Sequence, residues 1–162
     1  MTLTLPQVAH AHHERILALV DRLPEQADML LDPRAGDPLA GLEATDEFLT
    51  GTLLPHIEAA ERAVYPELER VLQNRHSLRP MRNEHDQIRR LVGEYTRLSG
   101  QLRAGGATIG RGVALRRVIF ALYALLKVHL AEEEAYLYLI ERNGHDGLSE
   151  VVASALDHPV AG

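Results

Sequence analysis

Along most of this chain apolar residues recur at intervals of three and four, and no stretch alternates with a period of two. That pattern predicts helices and no strands. The first predicted helix starts after Pro6 and runs through Ile16, Leu17, Val20 and Leu23, with Pro24 as a kink or stop. The turn-rich segment Asp32 to Pro38 reads as a loop. A second helical pattern spans about 39–73, where Pro55 and Pro66 predict kinks. A third spans about 78–104 and ends at Gly105-Gly106; a fourth spans about 113–142 and stops at Asn143-Gly144. Gly110 and Gly112 fall between these two and read as loop. A short fifth helix, about 148–156, is expected to pack on the outside. Four long amphipathic helices with short connections predict an all-α, up-down-up-down four-helix bundle with a short C-terminal extra helix. Residues 1–162 are expected to form one domain, the bundle at about 7–142 and a C-terminal extension at 143–162.

The informative residues are polar ones that fall on apolar faces. In the fourth helix, Leu115, Val118, Leu122, Leu126, Leu137 and Ile140 define the inward stripe. Glu133 falls near its centre, one turn after His129, while Glu132 and Glu134 are expected to point away. A carboxylate aimed into a core is costly unless it is neutralised, paired or bound to a metal. Each other helix adds a histidine. His56 lies near Leu49, Leu53, Ala60 and Ala63; His85 is flanked by Met81, Ile88 and Val92; His13 sits with Ile16, Leu17 and Val20. His12 borders the same face but is expected at the surface, as are His76, His145 and His158. His10 is on the more polar side, one turn before His13, within reach of a site. Tyr136, nearly in line with His129 and Glu133, is a candidate to hydrogen-bond a ligand on a metal, or else a core aromatic.

Composition narrows the chemistry. The chain has nine histidines and no cysteine, so disulfides, thiolate metal sites and a Cys nucleophile are excluded. Imidazole and carboxylate donors suit iron, with zinc or manganese as alternatives. A net charge of −6 without a basic stripe argues against nucleic acid as a partner. The longest apolar run, from Val118 to Leu126, is too short to span a membrane, and the N-terminus carries no signal-peptide pattern. A cytoplasmic protein is the expectation. No His is preceded by Glu three residues earlier, as the ferritin-like pattern requires, and no His-Glu-x-x-His or phosphate-binding glycine motif occurs.

Four segments in order, His13-Glu-Arg-Ile, His56-Ile-Glu-Ala-Ala-Glu61, Met81-Arg-Asn-Glu-His85 and His129-Leu-Ala-Glu-Glu133, resemble the hemerythrin-like (HHE cation-binding) family. The resemblance covers about residues 7–142 and implies a non-heme di-iron centre in a four-helix bundle. Such a centre binds a small diatomic ligand or peroxide, or serves in iron storage or sensing. It implies His13, His56, His85, His129 and Glu133 as metal ligands. The chain departs from the family where a bridging Glu is expected: that position is Ala60. Glu61 is adjacent but rotated by about 100°, and a π-bulge near Pro55 would bring it round. His10 is another substitute. A modified di-iron site, a site with one iron ion, and a site that has lost its metal all follow as alternatives. So do three roles: a responder to oxygen, nitric oxide, peroxide or iron; a peroxide-decomposing enzyme; and a metal-free interaction bundle.

Overall fold

A computed structural model of the chain describes residues 5–32, 34, 39–105 and 108–142. The fifth helix, the extension at 143–162 and most of the 32–38 loop lie outside the described residues. All regular elements among the described residues are helical. None is long and apolar enough to cross a membrane.

The first rod is α1 (Leu5–Val20) followed by α2 (Leu23–Met29). Pro24 opens α2 rather than ending a helix, as suits a residue whose missing N–H falls where an α-helix has no partner for it. The second rod is α3 (Ala40–Glu47), a π-helical turn (Phe48–Leu53), α4 (Leu54–Ala59), a second π turn (Ala60–Val64) and α5 (Tyr65–Val71), continuous from end to end. Each π turn ends just before a proline. The Leu54 amide bonds the Leu49 carbonyl, and the Tyr65 amide bonds that of Ala60, five residues back in both cases. Pro55 and Pro66 lack an amide and crowd the carbonyl four residues earlier. A wider turn accommodates both defects, so the predicted kinks are one-residue insertions in a single rod. Gln73, at φ 51°, ends the rod in the left-handed region.

The third rod is α6 (Arg79–Gly105) and the fourth α7 (Ile109–Arg142). α7 begins earlier than its apolar pattern predicts, so Gly110 and Gly112 are helical rather than loop. Gly112 has a packing reason: a Cβ there would lie 2.9 Å from the Leu31 side chain.

The four rods enclose two apolar clusters. The larger runs from Ile16, Val20, Leu53, Ile57, Ile88 and Val92 to Leu122, Leu126 and Leu130. The smaller holds Ala60, Val64, Tyr65, Leu68, Leu78, Met81 and Leu137. Each buried side chain contributes about 1.5–3 kcal/mol relative to exposure. Between the two clusters runs a polar layer. His56 lies between Leu53 and Ala60, His85 between Met81 and Ile88, and Glu133 between Leu130 and Leu137, so each helix enters it at one level.

Candidate metal centre

α1 supplies His12 and His13 to this layer, α4 supplies His56, α6 supplies Glu84 and His85, and α7 supplies His129, Glu133 and Glu134. His13, His56, His85, His129 and Glu133 are all buried, Glu133 with 2% exposure. The structure brings all five together. They form two triads of possible metal donors, His13–His56–Glu133 and His85–His129–Glu133, which share the carboxylate. Glu133 Oε2 lies 3.2 Å from His13 Nε2, 3.1 Å from His56 Nε2 and 3.9 Å from His129 Nε2. The Nε2 atoms of His85 and His129 face each other at 3.0 Å.

Every one of these rings is held from behind. His13 Nδ1 donates to Glu134 Oε2 (2.8 Å), His85 Nδ1 to Glu61 Oε1 (2.9 Å) and His129 Nδ1 to Glu84 Oε2 (2.8 Å). His56 Nδ1 instead meets a fifth imidazole, His12 Nε2, at 3.1 Å. Carboxylates behind imidazoles fix the tautomer and turn the other nitrogen toward a metal.

That tautomer logic tests whether the donors fit a cation. With their protons on Nδ1, His85 and His129 turn their Nε2 lone pairs toward each other, 3.0 Å apart. Burial first, then mutual repulsion, lowers His85 to about 4, and burial lowers His129 as well, so a proton does not settle between them. A metal ion relieves this opposition directly. The other triad behaves differently. Burial pulls His13 down, but hydrogen bonds with Glu133 and then Glu134 raise it to about 9. Burial would raise Glu133, yet the His56 charge and the His13 hydrogen bond hold it well below the usual carboxylate range. In that triad a proton stands where a metal would stand. The residues fit a cation on both counts.

Several side chains sit elsewhere than expected. Glu61 reaches the layer only from outside, on His85 Nδ1 and in an ion pair with Arg89 (2.6 Å), and is absent from both donor triads. His10 is exposed and lies between Glu134 (2.8 Å) and Glu14 (3.3 Å). Tyr136 takes the core-aromatic alternative: it directs its hydroxyl to the Ser77 carbonyl (3.4 Å) and packs on the smaller cluster. His12 is buried rather than at the surface: the second rod closes over it, and burial followed by the charge of His56 lowers it to about 3. Its Nδ1 has no hydrogen-bond partner among the described residues. Glu134 turns back toward His13, because a long side chain on the flank of a helix can reach the layer that the helix axis faces. His76 is exposed as expected; His145 and His158 lie outside the described residues.

Tyr65 is the residue that periodicity missed. It is fully buried, stacks on the His85 ring (centroids 5.2 Å apart, planes 8° apart) and places its hydroxyl 3.2 Å from His85 Nε2. In an unbroken α-helix it would stand about 180° round from His56. The second π turn takes out roughly a quarter-turn and brings it to the layer. The signal in the sequence was Pro66, directly after it.

A cavity of about 220 Å³ opens beside the layer, lined by His10, His13, Glu14, Lys127, Leu130 and Glu134 among others. It reaches the outer edge of His13. The hemerythrin HHE cation binding domain matches the chain over residues 5–138, the span that carries all of these side chains. No curated protein and no solved structure matches.

Proposed function

We propose that this chain, which belongs to the hemerythrin HHE cation-binding family, holds two iron ions in the layer between its apolar clusters and uses them to respond to dioxygen, nitric oxide or peroxide. The observation that carries the reading is the pair of donor triads sharing Glu133, with all four histidine rings oriented from behind. His13 and His56 would hold one ion, His85 and His129 the other, and Glu133 would join them. Iron bound there supplies one-electron redox chemistry and a position open to a small ligand. The protein's part is to fix the rings and to exclude water. Tyr65, Leu68, Met81 and Leu137 close the layer on one side, and Ile57, Ile88 and Leu130 on the other. The cavity beside His13 supplies the approach for a small molecule.

The test is metal analysis of protein purified without an affinity tag, with its absorption spectrum before and after exposure to nitric oxide and peroxide. The expected result is about two irons per chain, on the metal-assisted logic of paired sites, and a spectrum that responds without sustained turnover. Protein that binds no iron when loaded anaerobically rejects the reading. Sustained peroxide consumption would move it to the peroxide-decomposing enzyme.

A further inference from the structure

We propose that Tyr65 is itself a metal ligand, giving its phenol oxygen as a phenolate to the ion held by His85 and His129. The inference rests on the iron reading above. It begins with the question of where the Tyr65 hydroxyl goes when that ion is bound. Without metal, the hydroxyl donates to His85 Nε2, 3.2 Å away. That nitrogen is free to accept because its ring carries its proton on Nδ1, toward Glu61. A metal takes the same lone pair. The phenol then loses His85 as its acceptor at the moment of binding.

Glu133 also acts on the hydroxyl as a hydrogen-bond acceptor, but it is the carboxylate that both ions would take up. Tyr65 is otherwise fully buried against the apolar side chains of Ala60, Val64, Leu68, Leu78, Met81 and Leu137. A buried hydroxyl without a partner is costly. Its oxygen already stands in the shell of donor atoms, since 3.2 Å from His85 Nε2 is close to the 3.0 Å that separates the two facing Nε2 atoms. Ligand atoms on one ion sit at such separations from each other.

Charge points the same way. Two cations brought into this layer meet one internal carboxylate, Glu133; Glu61, Glu84 and Glu134 stay behind the rings. A phenolate adds a second internal anion, and does so at the triad from which Glu133 stands farther, 3.9 Å from His129 Nε2 against 3.2 and 3.1 Å from His13 and His56. In the step, the phenol O–H bond breaks, its proton leaves to solvent, and an oxygen–iron bond forms. No oxidant or reductant is consumed.

A phenolate on ferric iron has a signature that a packing tyrosine lacks: a visible charge-transfer band and tyrosine ring modes enhanced in the Raman spectrum excited within it. Wild type loaded with iron and oxidised is expected to show both. Tyr65→Phe should keep its iron and lose the band. Tyr95→Phe, which removes another buried hydroxyl, one bonded to the Leu42 carbonyl, should keep both. Iron bound to wild type without the band overturns the assignment and leaves the proposed function standing. A band unchanged in Tyr65→Phe overturns it as well. Failure of wild type to bind iron rejects the function and this inference together. If Tyr65→Phe does not fold, ring-deuterated tyrosine in wild type replaces it: Raman modes that shift on deuteration support the phenolate, and modes that do not shift reject it.

Discussion

The two halves of the candidate centre share Glu133 but are backed differently. Behind His85 and His129 stand two carboxylates, Glu61 and Glu84, both partly buried, and the stacked ring of Tyr65. Behind His13 and His56 stand one more exposed carboxylate, Glu134, and the neutral ring of His12. Only the second half borders the surface cavity. Without metal, the first half is a pair of opposed lone pairs and the second is a stabilised ion pair. The contrast teaches that one helix layer can combine a rigid half built for a cation with an accessible half in which a proton competes for the same place.

The comparison breaks most completely if the shared carboxylate is not shared. Glu133→Gln should bring iron to background in both halves, because each triad loses its one carboxylate. One iron per chain remaining in this variant would show that the halves are independent.

Loss of a ring should separate the halves. His129→Ala is expected to leave at most one iron per chain and to cost the metal-free fold about 3 kcal/mol through the cavity it opens. His158→Ala should change neither. Equal iron in wild type and His129→Ala, by metal analysis, would remove the rigid half from the site.

Ala60→Glu asks whether the rigid half has room for a carboxylate from within. Ala60 is 1% exposed in the same small cluster as Tyr65. The new side chain should be a poorly paired buried charge costing several kcal/mol. A lowered melting temperature with no added iron is the expected result; a rise in iron per chain would overturn it.

The supports behind the rings should matter less than the rings. Glu61→Gln is expected to weaken iron binding about tenfold or more, within the range typical of such outer partners. His12→Ala should weaken it less, since His12 contributes no charge. Competition titrations with a chelator measure both, and the reverse order would contradict the assignment of rigidity.

The smallest effect is the pH dependence of the metal-free protein, and the halves should differ in sign. His13 is raised to about 9 by Glu133 and Glu134 against its burial. Its stabilisation is therefore fully present below its ordinary value of 6.5 and is lost as pH rises through about 9. His85 is lowered to about 4 by burial and then by His129, so it opposes stability as pH falls from 6.5 toward 4. Thermal melts of the apo protein should show an alkaline decline that His13→Asn flattens. A decline unchanged in that variant would assign it elsewhere.

Periodicity made much of this legible. Four rods follow from apolar spacing, and the spacing set His13, His56, His85, His129 and Glu133 on inward faces, where the structure places them. It failed where the helix departs from its regular pitch. Tyr65 and the final place of Glu61 depend on the π turn at Ala60–Val64, and spacing rules assume that no such turn exists. His12 was misjudged because a residue at the border of one helix is buried or exposed according to its neighbour, in this case the rod that carries His56. Glu134 was misjudged because a helical wheel assigns directions to Cα atoms and not to the ends of long side chains.

The second π turn is also hard to remove. A turn with one residue too many holds that residue without moving either end of the helix. Losing that residue would restore ordinary pitch, but Pro66 would then press on the carbonyl one turn back with no amide to offer. The proline acts as a pawl on a ratchet: it makes the insertion easy to keep and hard to reverse. The Tyr-Pro pair therefore holds in place both the rotation and the aromatic it delivers, whatever stands around it.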